Sequence, residues 1–286
     1  MNYGKKSVKQ KKKALQSTSS KLGRKCLLTF SKVLLLCVIA IGIIGICAGL
    51  GVFKGIIDSA PTITLEDATP TRYSSFIYDS KGNQMAKLIA EDSNRVPVTM
   101  DQIPTDLANA FVAIEDERFY QHNGIDIMGI LRAGVTAVKT GFKRQEGAST
   151  ITQQLAKNEL FTQEKQMARK AAEMFAARDI EDYYSKQQIF EMYAGSCYFG
   201  NQWSGVAQAA QGYFGKTPLQ LTDAEAVMLA GLPNAPSAYS PNSSPDLAVK
   251  RMQVVLNRMV GCKKLTREQA DALAAEAVTL QFLPAS

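Results

Sequence analysis

The sequence predicts a mainly α-helical domain with a small β-hairpin in front of it, preceded by a single transmembrane helix. Three observations support this: a 21-residue run without formal charge from Val33 to Phe53, a short strand-like pattern interrupted by a turn, and helical patterning that continues from Pro104 to near Leu280. A chain of 286 residues with 46% hydrophobic composition is long enough to bury one substantial core.

The N-terminal region predicts a membrane anchor behind a basic tail. Residues 1–25 are rich in Ser and Lys, and we expect them to be disordered and cytoplasmic. Residues 26–57 are expected to form the anchor, because about 20 apolar residues span the ~30 Å core of a bilayer. The rest of the chain would then lie outside the cytoplasmic membrane. A cleaved signal peptide is the alternative, but the apolar run is long and lacks a clean Ala-x-Ala site.

Beyond the anchor, residues 58–74 predict a linker and residues 75–286 one domain. Residues 75–98 predict a hairpin that turns around Gly82. Capping boxes predict three helix starts, at Ser185 with Gln188, Thr222 with Glu225, and Thr266 with Gln269. Four prolines predict one irregular stretch between helices: Pro233, Pro236, Pro241 and Pro245.

The net charge of +7 belongs to the N-terminal region. Residues 1–57 hold eleven of the 33 Lys and Arg and no acidic residue, which leaves 22 basic against 26 acidic residues, a net charge of −4. A nucleic-acid-binding domain would carry positive charge on its folded unit, so we exclude a nucleic-acid partner. Cys197 and Cys262 could form one disulfide, which the sequence does not assign. There is no metal-ligand spacing of Cys or His, and His122 is the only histidine.

Glu115 is a candidate general base. Leu107, Ala110, Phe111 and Ile114 recur at helical spacing and form an apolar face, with Glu115 at its edge. A carboxylate held against apolar side chains should have a raised pKa, which suits proton transfer. A solvated acidic helix end is the ordinary alternative, and spacing alone favours that alternative.

Two further segments could bind an anionic sugar substrate. Residues 147–158 (GASTITQQLAKN) place polar side chains at a predicted helix start, which suits a sugar or phosphate, although an N-cap and a surface helix explain them equally well. Farther on, Lys165, Arg169, Lys170 and Glu173 share one helix face. They could clamp a diphosphate, with Glu173 orienting the cations or holding a divalent metal ion. The alternative is an exposed salt bridge worth about 0.3–0.5 kcal/mol.

These three segments together resemble the glycosyltransferase domain of class A penicillin-binding proteins and of monofunctional peptidoglycan glycosyltransferases. The family's E-D-x-x-F-x-x-H-x-G motif is matched by Glu115, Asp116, Phe119, His122 and Gly124. Its G-x-S-T-I-T-Q-Q-x-x-K-N motif is matched by residues 147–158, and its R-K-x-x-E motif by Arg169, Lys170 and Glu173. Residues 198–216 and 226–241 match two more segments, so the resemblance covers roughly residues 75–260.

The resemblance implies a lysozyme-like helical fold with a small membrane-associated lobe, and polymerisation of lipid II. Glu115 would be the general base on the acceptor's 4-hydroxyl. One inverting displacement would form a β-1,4 bond and release undecaprenyl diphosphate, while Glu173 would organise the diphosphate site. The implied substrate-binding residues are Asp116, Phe119, His122, Arg132, Ser149, Thr150, Gln153, Gln154, Lys157, Asn158, Lys165, Arg169 and Lys170.

The resemblance implies no obligatory cofactor, although Mg²⁺ or Mn²⁺ could assist, with Glu173 as a candidate ligand. The implied partners are lipid II, the growing glycan and the bilayer, and other cell-wall synthesis proteins could join them. No Ser-x-x-Lys motif of a transpeptidase follows the anchor. We therefore expect a monofunctional enzyme, although a truncated bifunctional chain would read the same.

Three departures from the family pattern bear on stability and activity. Ala194 and Gly195 follow Tyr193 where many relatives have Leu and Asn, and Ala172 and Lys165 stand where many have Lys and Arg. A glycine inside a helix costs about 1 kcal/mol relative to alanine, so we expect a less stable or less active enzyme. The alternative functions are a lysozyme-like cell-wall hydrolase or lytic transglycosylase, and a membrane scaffold that has lost activity.

Overall fold

The computed structural model describes residues 4–15, 18–58, 75–81, 84–88, 95–141, 147–160 and 167–284. The chain divides into two units, residues 1–59 and residues 60–286. Each unit has its own secondary structure.

The first unit consists of two helices, α1 (Lys5–Leu15) and α2 (Thr18–Asp58). The prediction of a disordered tail is therefore wrong, because Lys, Gln, Ala and Leu favour helix and no Gly or Pro interrupts residues 5–22. Within α2, the segment Lys25–Gly45 is long and apolar enough to cross a membrane. The predicted anchor at residues 26–57 lies wholly inside α2, which begins earlier than expected. Apart from Asp58, the predicted linker lies outside the described residues.

The described part of the second unit begins with the predicted hairpin. Strands β1 (Ser75–Tyr78) and β2 (Gln84–Leu88) pair antiparallel, with Phe76 opposite Lys87. The turn residue Gly82 lies outside the described residues. This two-stranded ribbon is the small β element expected in front of the helices.

Helices make up most of the rest of the described second unit, as predicted. They are α3 (Thr105–Glu115), α4 (Ile127–Lys139), α5 (Ile151–Leu160), α6 (Met167–Tyr183), α7 (Lys186–Ser196), α8 (Val206–Phe214), α9 (Asp223–Gly231), α10 (Pro245–Gly261) and α11 (Arg267–Ala277). All three predicted capping boxes form, at the starts of α7, α9 and α11. A short 3₁₀ helix and turns fill the proline-rich stretch, and Pro245 begins α10 rather than breaking a helix.

The core of this unit is built around α9 and α3. Residues 224–231 of α9 are all buried, because this helix is apolar on nearly every side. It packs against α3, α10 and α11. On α3, the ring of Phe111 makes edge contacts with Phe190 and Tyr193 of α7, at centroid distances of 6.2 and 5.7 Å. These contacts hold the end of α3, and hence Glu115, at a defined place in the core.

Candidate active site

Glu115 is the last residue of α3, and its carboxylate is largely enclosed, with 13% of the side chain exposed. Its Oε2 accepts a hydrogen bond of 2.8 Å from Nε2 of Gln154, near the start of α5. Its Oε1 lies 3.9 Å from Nη2 of Arg251 on α10 and has no hydrogen-bond partner among the described residues. Of the two carboxylate oxygens, only Oε2 therefore accepts a hydrogen bond from a described residue.

Burial raises the pKa of Glu115 above its ordinary value, as the apolar helix face predicted. The hydrogen bond from Gln154 and the charge of Arg251 oppose this rise in pKa, while the neighbouring Asp116 adds to it. Desolvation is the largest contribution, so the net direction is upward. A carboxyl with a raised pKa is a stronger base once ionised, which is what proton abstraction from a hydroxyl requires.

Asp116 and His122 of the same motif form a buried structural pair. His122 Nε2 lies 3.0 Å from Asp116 Oδ1, and Asp116 Oδ2 accepts a 3.0 Å hydrogen bond from the backbone N–H of Ile151. Ile151 is the first residue of α5, so this carboxylate satisfies one of the free N–H groups at the helix start and suits its positive end. These contacts connect the end of α3 with the start of α5.

Gly124 and two polar residues of the second motif hold the same helix from another side. The Oγ1 of Thr150 donates to the carbonyl of Gly124 at 2.6 Å, and Nε2 of Gln153 donates to the same oxygen at 3.3 Å. Gly124 has a φ of +78°, and a Cβ there would lie 2.6 Å from the carbonyl oxygen of Ala177. Only glycine fits this contact with α6. Thr150 and Gln153 are almost fully buried, and their hydrogen bonds tie the start of α5 to Gly124.

Glu173 lies on α6 between two cations. Its Oε1 is 3.1 Å from Nε of Arg169 and its Oε2 is 3.0 Å from Nζ of Lys170, with 2% of the Glu173 side chain exposed. Lys170 is half exposed and also donates to the Oγ of Ser149 at 2.8 Å. The R-K-x-x-E motif therefore forms one charged cluster that reaches the residues just ahead of α5.

Both acidic residues are thus connected to the start of α5. Glu115 reaches it through Gln154, and Glu173 reaches it through Lys170 and Ser149. Ser149 and Gln154 are five positions apart at one helix end, so the two carboxylates belong to one neighbourhood.

The other residues implied by the resemblance have varied surroundings. Phe119 is fully buried, with its ring 6.2 Å from that of Phe190 and Nζ of Lys186 4.4 Å above it, so it is a core residue. Arg132 is exposed and pairs with Glu117 at 3.2 Å. Lys157 and Asn158 are exposed on α5, and Lys165 lies outside the described residues.

The residues around Glu173 do not fit a divalent cation held by the protein. Both oxygens of the carboxylate face positive side chains, which would repel a metal ion. Among the described residues, no cluster of three or more His, Cys, Asp or Glu side chains could hold one. We therefore assign no step of the reaction to a metal ion bound by Glu173.

Comparison with known proteins decides the family. A family model described as Transglycosylase matches residues 81–260. This chain belongs to the transglycosylase family. The resemblance stated from the three motifs is thereby confirmed.

Several relatives of this transglycosylase are penicillin-binding proteins. Penicillin-binding protein 1A of Escherichia coli (strain K12) is 40% identical over 254 residues, which cover 88% of this chain and 29% of the relative. Penicillin-binding protein 1A/1B of Bacillus subtilis (strain 168) is 42% identical over 218 residues, covering 76% and 23%. The chain thus spans less than a third of the length of these relatives.

Among solved structures, the transglycosylase is similar to penicillin-binding protein 1A from Haemophilus influenzae. The match has 24% sequence identity and a TM-score of 0.42, and it covers 79% of this chain and 22% of that chain.

Sequence analysis did not identify two residues that lie near Glu115 in this transglycosylase. Arg251 lies 136 positions farther along the chain, and nothing in the spacing of α10 singles it out. Tyr193 drew attention only because Ala194 and Gly195 follow it, yet its hydroxyl lies 3.4 Å from Oε1 of Gln154. Both approach Glu115 through packing between helices, which local sequence patterns do not report.

The cysteines of the transglycosylase are free. Cys197 is buried and Cys262 is partly buried, and neither is paired. The disulfide that the sequence left open is therefore not formed in this structure.

Proposed function

We propose that this transglycosylase polymerises lipid II into β-1,4-linked glycan strands and releases undecaprenyl diphosphate. In this reaction the 4-hydroxyl of the acceptor sugar attacks the anomeric carbon of the donor. The bond from that carbon to the diphosphate oxygen breaks, and its electron pair leaves with the lipid diphosphate. One displacement of this kind inverts an α linkage into a β linkage.

The observation behind this proposal is that Oε1 of Glu115 has no hydrogen-bond partner among the described residues. The hydroxyl of a sugar is too weak an acid to ionise before attack, so its proton must be taken as the new bond forms. Glu115 offers an enclosed carboxylate with a raised pKa and an Oε1 that accepts no hydrogen bond from a described residue. That oxygen would take the proton that the acceptor hydroxyl loses as the new bond forms.

The charged cluster on α6 supports a diphosphate leaving group. Lys170 is half exposed and Arg169 is partly exposed, so both can reach an anion in solvent while Glu173 holds them in place. Lys170 also donates a hydrogen bond to Ser149, just ahead of α5. Positive groups fixed in advance stabilise the charge that develops on the leaving group.

A lipid-linked substrate requires a membrane location, and two features support one. The segment Lys25–Gly45 has the length and composition of a membrane span. On α4, apolar side chains are exposed that would suit the bilayer surface: Ile127, Met128, Leu131, Val135 and Val138. We propose a single-pass protein with its N-terminus inside and residues 75–286 outside the cytoplasmic membrane.

Protease treatment of intact spheroplasts tests this orientation. If the N-terminus is inside, the protease should degrade the domain at residues 75–286 and spare an epitope fused ahead of Met1. Lysed spheroplasts serve as the control, because both parts should then be cut. Protection of the domain in intact cells would contradict the proposed orientation.

Incubation of the purified full-length protein with lipid II tests the reaction. Wild type should make long glycan strands, and Glu115→Gln should reduce the rate by about 10²–10⁴-fold, the usual contribution of a general base. Glu225→Gln is a matched control, because Glu225 is also a buried glutamate but pairs with Lys216 at 2.7 Å, away from Gln154 and Arg251. This control should keep its activity.

The same assay separates the alternatives. Release of muropeptides from finished wall without glycan synthesis would support a hydrolase or lytic transglycosylase. A wild type inactive in both directions would support a scaffold. Either result would overturn the proposed polymerase.

A further inference from the structure

We infer that Tyr193 is a positioning residue for the catalytic base: its buried hydroxyl orients the side-chain amide of Gln154, and Gln154 in turn holds the carboxylate of Glu115. This inference deepens the proposed function and depends on Glu115 acting as the base. It assigns a role in the reaction to a residue on α7 that cannot itself touch a substrate.

The order of hydrogen bonds carries the inference. Nε2 of Gln154 donates to Oε2 of Glu115 at 2.8 Å, and the hydroxyl of Tyr193 donates to Oε1 of Gln154 at 3.4 Å. The two ends of an amide have nearly the same shape but opposite hydrogen-bonding character. A donor at the oxygen end therefore selects the orientation in which the NH₂ group faces Glu115. The opposite orientation would place the amide oxygen against the carboxylate, where it would be repelled.

Tyr193 is well suited to this role because packing holds its side chain in one orientation. Its side chain is fully buried, and its ring makes an edge contact with Phe111 at 5.7 Å. Phe111 lies one helical turn before Glu115 on α3. The same ring therefore fixes both the helix that carries the base and the amide that holds it. At 3.4 Å the Tyr193 bond is longer than the ~2.7–2.8 Å typical of hydroxyl donors, so orientation is its main effect.

A third residue lies beside the Tyr193 hydroxyl. Cys197 is within hydrogen-bonding reach of it, and burial raises the pKa of the Cys197 thiol to about 12. The sulfur is therefore a neutral thiol at neutral pH, and a thiol is a weaker hydrogen-bond acceptor than the amide oxygen of Gln154.

The groups that face Glu115 predict the direction of a pH effect. They are Gln154 from α5, Arg251 from α10, Tyr193 and Cys197 from α7, and the adjacent Asp116. The bond from Gln154 lowers the pKa of Glu115. When Tyr193 no longer orients Gln154, this bond weakens and the pKa of Glu115 rises. Since the base works only when ionised, the acid limb of the pH–rate profile should move to higher pH.

Tyr193→Phe, which keeps the ring and removes the hydroxyl, tests this expectation in the lipid II assay. We expect kcat near neutral pH to fall by about tenfold, the size of one lost hydrogen bond, with KM within about twofold and the acid limb moved upward. Tyr213→Phe is the matched control, because Tyr213 is also fully buried but its hydroxyl donates to the carbonyl of Phe199 at 2.9 Å. The control should leave the acid limb in place.

Measuring the effect of Tyr193→Phe in a protein that already carries Gln154→Ala separates a positioning role of Tyr193 from a loss of stability. In Gln154→Ala, the link between Tyr193 and Glu115 is already broken, so adding Tyr193→Phe should change neither kcat nor the acid limb further. If Tyr193→Phe has the same effect with and without Gln154, its role is merely structural and the inference is overturned.

A direct titration keeps this test independent of activity. The carboxyl carbon of Glu115 can be followed by NMR in full-length protein labelled with ¹³C-glutamate, with the signal assigned by its loss in Glu115→Gln. A higher midpoint in Tyr193→Phe supports the inference even if wild type makes no glycan, and an unchanged midpoint overturns it. Should Tyr193→Phe not fold, Gln154→Met removes the amide from the other side and must raise the midpoint as well.

Discussion

At the residue scale, Glu115 combines two properties that are costly for a folded protein. Its carboxylate is largely removed from water, and one oxygen lacks a hydrogen-bond partner among the described residues. An unsatisfied buried polar group typically costs about 1–3 kcal/mol. Such a cost at one residue is expected where reactivity depends on a poorly solvated base.

This cost should appear in the pH dependence of stability. Because burial raises the pKa of Glu115, the folded state holds a proton in the window between the unfolded and folded pKa values. The stability that this proton contributes is fully present below the unfolded pKa and is lost as pH rises through the folded pKa. Glu115→Gln does not titrate, so its thermal midpoint relative to wild type should increase as pH rises above 4.5, the ordinary pKa of a glutamate.

Thermal unfolding of both proteins across that pH range measures this difference. Glu225→Gln provides a reference for a buried glutamate that is paired with Lys216. Parallel curves for wild type and Glu115→Gln would contradict a raised pKa at Glu115.

The motif residues differ in how far the sequence could predict them. For Glu115, the apolar helix face allowed a buried carboxylate, but spacing alone favoured a solvated helix end, and only the family resemblance implied a general base. For Asp116, Thr150 and Gln153, the family resemblance implied substrate contacts, and the structure adds hydrogen bonds that hold α5 in place. Whether a polar side chain points at a ligand or at a neighbouring helix depends on packing, and residue type does not reveal it.

At the element scale, two helical glycines differ in how closely their surroundings pack: Gly195 at the end of α7 and Gly212 in α8. A Cβ at Gly195 would meet only ordinary contacts, the nearest being the carbonyl oxygen of Val96 at 3.8 Å. A Cβ at Gly212, in α8, would lie 2.2 Å from Cε2 of Trp203. The expected cost of Gly195 is therefore one of backbone freedom, whereas Gly212 is required by close packing.

Gly195→Ala should accordingly stabilise the protein by roughly 0.5–1 kcal/mol. Gly212→Ala should destabilise it by about 1–3 kcal/mol, because the indole ring would have to move. Denaturant unfolding of the two variants measures both changes. A loss of stability in Gly195→Ala would mean that the glycine after Ala194 has a packing role that its surroundings do not show.

Helix starts were the elements most completely predicted. Ser185, Thr222 and Thr266 each accept a hydrogen bond from the backbone N–H three residues on, as their capping boxes required. These contacts are local, so sequence is enough to identify them. The basic tail was predicted wrongly because its Lys content was read as a sign of disorder, although lysine also favours helix.

At the scale of the whole molecule, the chain divides into a helical N-terminal unit and a second, mainly helical unit. The buried hydrophobic core runs from Val98 to Ala277, entirely within the second unit. A domain with its own core should fold without the segment in front of it.

Residues 60–286 produced alone should therefore unfold at a thermal midpoint within about 2 °C of the full-length chain in detergent. The comparison needs the same detergent in both samples, since detergent alone changes stability. Aggregation of the shorter chain, or a midpoint lower by more than about 5 °C, would show that the first unit stabilises the second.

The sequence by itself determined the helical class, the hairpin, the apolar segment, the helix caps and the residues of the charged motifs. These follow from periodicity, turn chemistry and composition, which act over a few neighbouring residues. Only the tertiary structure decided that Gln154 and Arg251 flank Glu115, that Tyr193 orients Gln154, and that Asp116 holds α5. Such contacts join residues from 35 to 136 positions apart, and packing between helices alone brings them within bonding distance.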